Sequence, residues 1–387
     1  MAAKKVTVQG PYVDSESAPE HREALLAQLR TIPRDTTKLL IEEDPPSNTE
    51  WSILGDHFTS VRDLKIDSGF NEYLNDRDMP VHWPVERLTL SDVCGEVTKS
   101  PHILHGRIKH LILYCTAGMR FEGPTSDELY HMNDEVIKRH EARLQSLGRN
   151  SNIQFINMSQ LGEEWMAKKY NNVGLSDNPP LEPENQPVDG EKSRLRTLEI
   201  IENDALDTFL RMSAALPHVV ATVTSLTLRS TSLGRDFDWF SEKLFPDVLA
   251  QLDALEALNL SVGAVFKEPS TLSGLYASFP PNLTTLHFRG PVSLWRAEEW
   301  EDWVSAFSDK SFLPRLERLA FVLDLHYVPD EHGHLRLETP PDEDLREARA
   351  ACERLYEGAR RRGLIVESLR DDWAGKHACL KPVDDRW

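Results

Sequence analysis

The feature that most constrains the fold is a six-residue pattern that recurs along the chain. It consists of an apolar residue, two variable residues, Leu, one variable residue and a second apolar residue. The clear copies begin at positions 61, 85, 108, 195, 223, 255, 283 and 316. Two looser copies cover 36–41 and 153–158, and a terminal strand is predicted around 364–369. Such recurrence indicates a chain built by stacking one repeated unit.

The spacing and the alternation within each copy predict the local structure. Most copies start 23 to 33 residues apart, whereas the steps of 45 and 42 residues on either side of position 153 require insertions. Alternation sends the Leu and the final apolar residue to one face of a short strand and the variable residues to the other. One such strand is marginal alone, so stacking against its neighbours must bury the apolar face.

Two copies extend to a longer motif, LxxLxLxx[N/T]xL. The best match is 223–233, and the next is 195–205, in which Asn203 takes the Asn place. The chain therefore resembles leucine-rich-repeat proteins, and it is similar to the repeat regions of fungal F-box proteins, although no clear F-box precedes residue 36. The resemblance implies an α/β solenoid with parallel strands on a concave face and helices on a convex face. In other copies the Asn position is occupied by Gly69, Val93, Gly263 or Pro291. The lack of a regular Asn ladder implies an irregular horseshoe.

The repeats and the spacers between them predict the domain organisation. A tail and a capping helix are expected over 1–35, the solenoid over 36–325, and a loop, a capping helix and a tail over 326–387. Insertions are expected at 117–152 and 160–194, and the proline-rich stretch 176–193 is expected to be a mobile loop. Helical spacing of apolar residues predicts helices at 20–30, 125–148, 204–216, 236–252 with a break at Pro246, 295–307 and 342–362.

Charge and composition exclude several classes of partner. A net charge of −19 argues against binding nucleic acid or anionic membranes through a basic footprint. We expect no signal peptide, because residues 1–10 contain no long apolar run, and no membrane helix, because no apolar run approaches the ~20 residues that one needs. Its four cysteines are far apart and suit isolated thiols in a reducing compartment. A cytoplasmic or nuclear protein is expected.

No catalytic or cofactor-binding motif is present, so we expect neither a catalytic residue nor a cofactor. Two histidine clusters are interpreted as surface and loop residues rather than as metal ligands, because their spacing does not make the side chains converge. The first cluster consists of His102, His105 and His110, and the second of His326, His332 and His334.

The variable strand positions are predicted to form the binding surface, because leucine-rich-repeat proteins usually bind partners on the concave sheet. The candidate residues are Tyr114, His110, Arg87, Arg229, Asn259, His287, Arg289 and Arg318. Tyr114 is expected to be an exposed aromatic anchor. The main hypothesis is a protein-interaction scaffold. The alternatives are an F-box-type substrate-recognition protein that binds a Skp1-type adaptor, and an enzyme or small-molecule binder with a pocket beside the insertions.

Overall fold

One open parallel sheet of 11 strands organises the part of the chain that the computed structural model describes. These described residues are 2–9, 18–68, 74–93, 97–114, 116, 119–125, 128, 181–202, 205–230, 244–262, 269–329 and 335–368. Each strand pairs with the next one in the sequence, and the last strand follows a long helix. The order of the sheet is therefore the order of the chain, as the repeat pattern predicts.

The strands are short and all of their pairings in this sheet are parallel. Their bounds are β1 Lys4–Val8, β2 Lys38–Glu43, β3 Asp63–Asp67, β4 Arg87–Ser91, β5 His110–Tyr114, β6 Thr197–Glu202, β7 Ser225–Ser230, β8 Ala257–Ser261, β9 Thr285–Pro291, β10 Arg318–Leu325 and β13 Ile365–Val366. Between β10 and β13 lies a separate antiparallel pair, β11 Tyr327–Pro329 and β12 Leu335–Leu337.

The helices of the described residues occupy the connections between strands. Their bounds are α1 Pro19–Leu29, α2 Asn48–His57, α3 Pro101–Leu104, α4 Ala205–Ala215, α5 Pro217–Val220, α6 Leu244–Ala250, α7 Pro269–Ser273, α8 Trp300–Ser308 and α9 Asp342–Arg362. Local sequence sets several of their ends. Ser47 and Glu50 form a capping box at the start of α2, and Gly363, with a φ of 100°, ends α9 in the left-handed conformation.

The repeated leucines form a continuous row under the sheet. Leu64 aligns with Leu88, and the row continues across every later strand pair to Leu319. The pairing of Leu111 with Leu198 carries the row across the long insertion without a break. Every leucine of this row is at most 1% exposed, which confirms the predicted shared spine.

A second regularity is found where each strand begins. The backbone carbonyl of one residue accepts hydrogen bonds from two consecutive N–H groups of the next repeat. Thr37 O accepts from Arg62 N and Asp63 N, both at 2.9 Å. The same arrangement recurs on the carbonyls of Arg62, Glu86, Lys109, Arg196, Thr224, Glu256 and Thr284. Such repetition fixes each repeat against its neighbour through the backbone, whatever the variable side chains are.

All the helices of the described residues pack on the face that carries the leucines. Each contributes residues to one hydrophobic core together with the strands. At the carboxyl-terminal end this core is rich in aromatic residues, where Trp303 contacts Phe288 and Phe321 at ring distances of 5.3 and 5.5 Å. Trp300, Trp303 and Phe307 are at most 2% exposed, so the apolar face of α8 packs against the sheet.

One side chain at each end of the sheet satisfies the exposed backbone of an outer strand. At β1, the Gln28 carboxamide accepts from Thr7 N and donates to Thr7 O, both at 2.9 Å. At the other end, only Arg318 and Leu319 of β10 pair with β13. Further along β10, the Tyr356 hydroxyl accepts a hydrogen bond from Phe321 N at 2.9 Å and donates one to Phe321 O. Both edges are thereby closed to a further strand at these positions.

The structure corrects several sequence predictions. Strand β1 was not predicted, whereas β13 confirms the terminal strand predicted around 364–369. Pro246 lies within α6 and does not end this helix, and residues 236–243 of the predicted helix lie outside the described residues. The predicted helix at 125–148 and the looser strand at 153–158 fall almost entirely outside the described residues.

The described part of the proline-rich stretch is anchored to the solenoid, contrary to the prediction of a mobile loop. Asn185 is 1% exposed, and its Nδ2 donates to the carbonyls of Phe121 at 2.7 Å and Ala215 at 3.3 Å. Nearby, the Arg107 guanidinium binds Glu191 through two hydrogen bonds of 2.8 and 3.1 Å. A single amide that satisfies two backbone carbonyls therefore holds residues 181–193 against the repeats.

Candidate functional site

The outward face of the sheet is the face opposite the helices, and it carries the variable strand positions. Counted from the first residue of β3, these are the first, third and fifth positions of each strand. The register brings the candidate residues into three rows. Arg87, His110 and Arg318 lie in the first row, Asn259 and His287 in the third, and Tyr114, Arg229 and Arg289 in the fifth.

The centre of the outward face is closed rather than open. Tyr114 is 7% exposed and forms a small apolar cluster with Ile112 and Ile201. The prediction of an exposed aromatic anchor at Tyr114 is therefore wrong. Beside this cluster, His110 Nε2 lies 2.8 Å from Glu199 Oε1, and the Glu199 side chain is buried. His110 is half-buried, so this pair borders the closed centre.

Two buried arginines occupy the fifth row on strands β7 and β9. Arg229 and Arg289 are each 4% exposed, and Ser261 lies between them in the register. The Arg289 guanidinium donates to both carboxylate oxygens of Asp324, at 2.6 and 2.7 Å. This bidentate geometry holds the guanidinium in one orientation. Arg229 and Arg289 were predicted as surface binding residues, but both are buried.

The carboxyl-terminal end of the face is more accessible. Arg318 donates to Glu367 Oε1 at 2.7 and 2.9 Å, and His287 Nε2 lies 3.3 Å from Glu367 Oε2. These hydrogen bonds, that of Arg318 above all, lower the pKa of Glu367. Glu367 reaches both residues because Ala320, on the intervening strand, has a short side chain. Arg318 remains exposed.

The other two candidate residues differ in their surroundings. Asn259 is half-buried, and its Oδ1 has no hydrogen-bond partner within the described part of the chain. Arg87 is also half-buried, and among the described residues no carboxylate contacts its guanidinium. Arg87 and Arg318 therefore remain as charged groups that an approaching partner can reach from the outward face.

The histidines of the first cluster do not share one environment. His102 is 2% exposed, and its Nε2 lies 3.1 Å from Pro80 O, so the interpretation as a surface residue is wrong for His102. Burial lowers the pKa of His102 and of His105, which keeps both neutral near pH 7. His110 lies on the outward face instead, and His332 and His334 lie outside the described residues. Among those that are described, His, Cys, Asp and Glu side chains do not converge in a group that would hold a metal ion.

The sequence predictions did not include two acidic residues that shape this face. Asp324 follows the last repeat copy, and Glu367 follows the short strand β13. If the alternation of inward and outward residues in β10 is continued to Leu325, Asp324 takes an outward position. Arg289 lies at an outward position of the neighbouring strand β9, so the two residues share one face. Glu367 offered no comparable signal, because its role depends on which strand β13 pairs with.

Cys352 of α9 is buried and unpaired, and burial raises the pKa of its thiol to about 12. A thiol that keeps its proton at neutral pH is a poor nucleophile, so Cys352 contributes to packing.

In the described ranges, every helix is too short or too polar to cross a membrane. Comparison of the chain with protein-family models, with curated proteins and with solved structures gave no match.

Proposed function

We propose that the chain is a protein-interaction scaffold that binds a partner through the outward face of a leucine-rich-repeat-like solenoid, with this face concave. The observation that carries the proposal is the contrast between the two faces of the sheet. All the described helices pack on the leucine face, and the opposite face carries polar and charged side chains on successive strands. A long sheet face that displays such side chains in fixed rows is suited to recognising another protein.

The size of the face supports the same proposal. Eleven strands spaced ~4.8 Å apart give a ladder on the order of 50 Å long, which is enough for an interface of ordinary area. Arginines are favoured at protein interfaces, and Arg87 on β4 and Arg318 on β10 both lie in the first row of this ladder.

The test is site-specific photo-crosslinking in cells that express the full chain. A crosslinking amino acid replaces Thr227, which lies at an outward position of β7, and in a matched control it replaces Arg349 on the exposed side of α9. We expect a discrete crosslinked protein from position 227 and none from position 349. Equal crosslinking from both positions, or none from either, would contradict the proposal.

Charge reversal then tests the face in solution with the captured partner. Arg87→Glu and Arg318→Glu are preferable to a change at Arg289, because the Arg289 side chain is buried whereas the Arg318 side chain is 51% exposed. We expect both variants to keep the thermal unfolding midpoint and to weaken partner binding. Unchanged affinity in both would argue against the outward face.

The F-box hypothesis stays a prediction. Its support is the resemblance of the repeats to those of fungal F-box proteins. A Skp1-type adaptor would co-purify with the full chain under mild lysis if the hypothesis holds, and its absence would contradict it.

A further inference from the structure

The amino-terminal ends of strands β3 to β6 carry an excess of basic side chains, although the whole chain has a net charge of −19. These residues lie where each repeat turns into its strand, along one border of the outward face. We call this group the basic rim; it consists of Arg62, Arg87, Arg107, Lys109, Arg194 and Arg196.

The repeat geometry makes the basic rim contiguous. Arg62 Nη1 lies 2.9 Å from Glu86 Oε1, and Lys109 Nζ lies 3.2 Å from Glu86 Oε2. The next repeat follows directly, because Arg196 N donates to Lys109 O at 2.9 Å. Lys109, with smaller contributions from Arg62 and Arg194, lowers the pKa of Glu86.

The positive charge of the basic rim is only partly compensated. Within the described residues, the basic rim forms ion pairs with two carboxylates. Glu86 pairs with Arg62 and Lys109, and Glu191 pairs with Arg107. The remaining three arginines have no carboxylate in contact there: Arg87, Arg194 and Arg196. Arg196 instead donates to backbone carbonyls, at 2.8 Å in the case of Leu195, so its guanidinium is held in place while keeping its charge.

The position directly before the strand is not basic in the carboxyl-terminal half of this border. In strands β7 to β10, the position directly before the strand holds Thr224, Glu256, Thr284 and Glu317. The same position in β3 to β6 holds Arg62, Glu86, Lys109 and Arg196. Since the backbone hydrogen bonds are the same in both halves, the folding of the repeat does not require the basic residues.

We propose that the basic rim binds an acidic segment of the partner protein, a stretch rich in Asp or Glu. This inference rests on the proposed function and gives the chemistry that one border of the binding face recognises. Exposed guanidinium and ammonium groups attract carboxylates over roughly one Debye length, ~8 Å at physiological salt, so distant acidic residues of this chain have little effect. Nucleic acid is disfavoured because its long charged backbone would also meet the acidic remainder of the chain. A second copy is disfavoured because both copies are strongly acidic.

The test measures binding of a fluorescently labelled peptide of alternating Glu and Gly to the purified full chain by fluorescence anisotropy. The variant is Arg87→Glu with Arg194→Glu, two positions with no contact that the fold requires. The control is Arg346→Glu with Arg349→Glu on α9, which makes the same change in net charge on two exposed arginines. We expect the rim variant to weaken binding about tenfold and the control less than about twofold.

Further arms separate the alternatives. Binding that weakens with added salt and that is absent for a Gln and Gly peptide supports the inference. Equal weakening in both double variants would show non-specific charge attraction and would overturn it, as would the absence of any binding at low salt. Tighter binding of a single-stranded oligonucleotide than of the acidic peptide would overturn the choice of partner, and peptide-independent dimerisation through these arginines would assign the rim to a second copy.

The two proposals fail in different ways. Crosslinking from position 227 combined with no binding of the acidic peptide would overturn the basic rim alone. Peptide binding that depends on Arg87 and Arg194, without crosslinking from position 227, would overturn the outward face as the site of partner binding.

Discussion

The two faces of the sheet are built from alternate residues of the same strands, yet they follow different rules. On the leucine face, one residue type occupies one row from β2 to β10, and each leucine is at most 1% exposed. On the outward face, neighbouring positions in one row differ completely, as with Ile201, Arg229 and Ser261. The leucine face thus depends on repetition, and the outward face depends on particular pairs of side chains.

This difference indicates where stability and recognition are located. Burial on the leucine face stabilises each repeat through its neighbours, at roughly 1.5–3 kcal/mol per large apolar side chain. The outward face contributes through separate contacts, such as Arg289 with Asp324 and His110 with Glu199. Its residues can therefore vary between repeats without loss of the fold, which is what a surface that recognises a specific partner requires.

The largest expected effect contrasts two consecutive residues of β7. Leu226 is 1% exposed on the leucine face, whereas Thr227 is half-buried on the outward face. We expect Leu226→Ala to lower the free energy of unfolding by about 2–5 kcal/mol, because it leaves a cavity in the spine. Thr227→Ala is expected to change it by about 0.5 kcal/mol or less. Urea titrations followed by circular dichroism measure both, and similar losses for the two variants would remove the distinction between the faces.

A second comparison lies within the outward face, between a buried and an exposed ion pair. Arg289 is 4% exposed and holds Asp324 through two hydrogen bonds, whereas the Arg318 side chain is 51% exposed beside Glu367. We expect Arg289→Ala to cost about 1–3 kcal/mol, since Asp324 loses its partner but is itself partly hydrated. Arg318→Ala should cost about 0–1 kcal/mol.

The same urea titrations test this pair of variants. A larger loss for Arg318→Ala than for Arg289→Ala would mean that the exposed end of the face is the structural one. The double variant Arg289→Ala with Asp324→Ala serves as the control, because removing both charges should recover part of the loss.

The leucine face could be predicted from the sequence and the outward face could not, for a physical reason. A period of two and a regular spacing determine which residues point inward, so the spine from Leu64 to Leu319 follows from the pattern alone. Exposure on the other face depends on what lies beside each residue in space. Tyr114 was expected to be exposed because it alternates with buried residues, but Ile112 and Ile201 lie next to it in the sheet.

Strand β1 illustrates a further limit of the sequence pattern. Its five residues contain only Val6 and Val8 as buried apolar positions and lack the central Leu. An outermost strand buries one face against a single neighbour, so it needs fewer apolar residues than an inner repeat. The Gln28 carboxamide adds two hydrogen bonds to the Thr7 backbone, which a search for apolar periodicity does not detect.

The smallest expected effects concern the two edges, which belong to neither face. Burial raises the pKa of Tyr356 to about 12, so its hydroxyl keeps the proton that it donates to Phe321 O at neutral pH. Tyr356→Phe retains the ring but leaves Phe321 N and O without this partner, at an expected cost of about 1 kcal/mol. Gln28→Ala at the opposite edge removes the equivalent two hydrogen bonds of Thr7 and should cost a similar amount. Because an uncovered edge can pair with another chain, we also expect both variants to associate at high concentration, as measured by light scattering. If Tyr356→Phe left both the free energy of unfolding and the scattering unchanged, closure of the edge by this hydroxyl would have no part in ending the sheet.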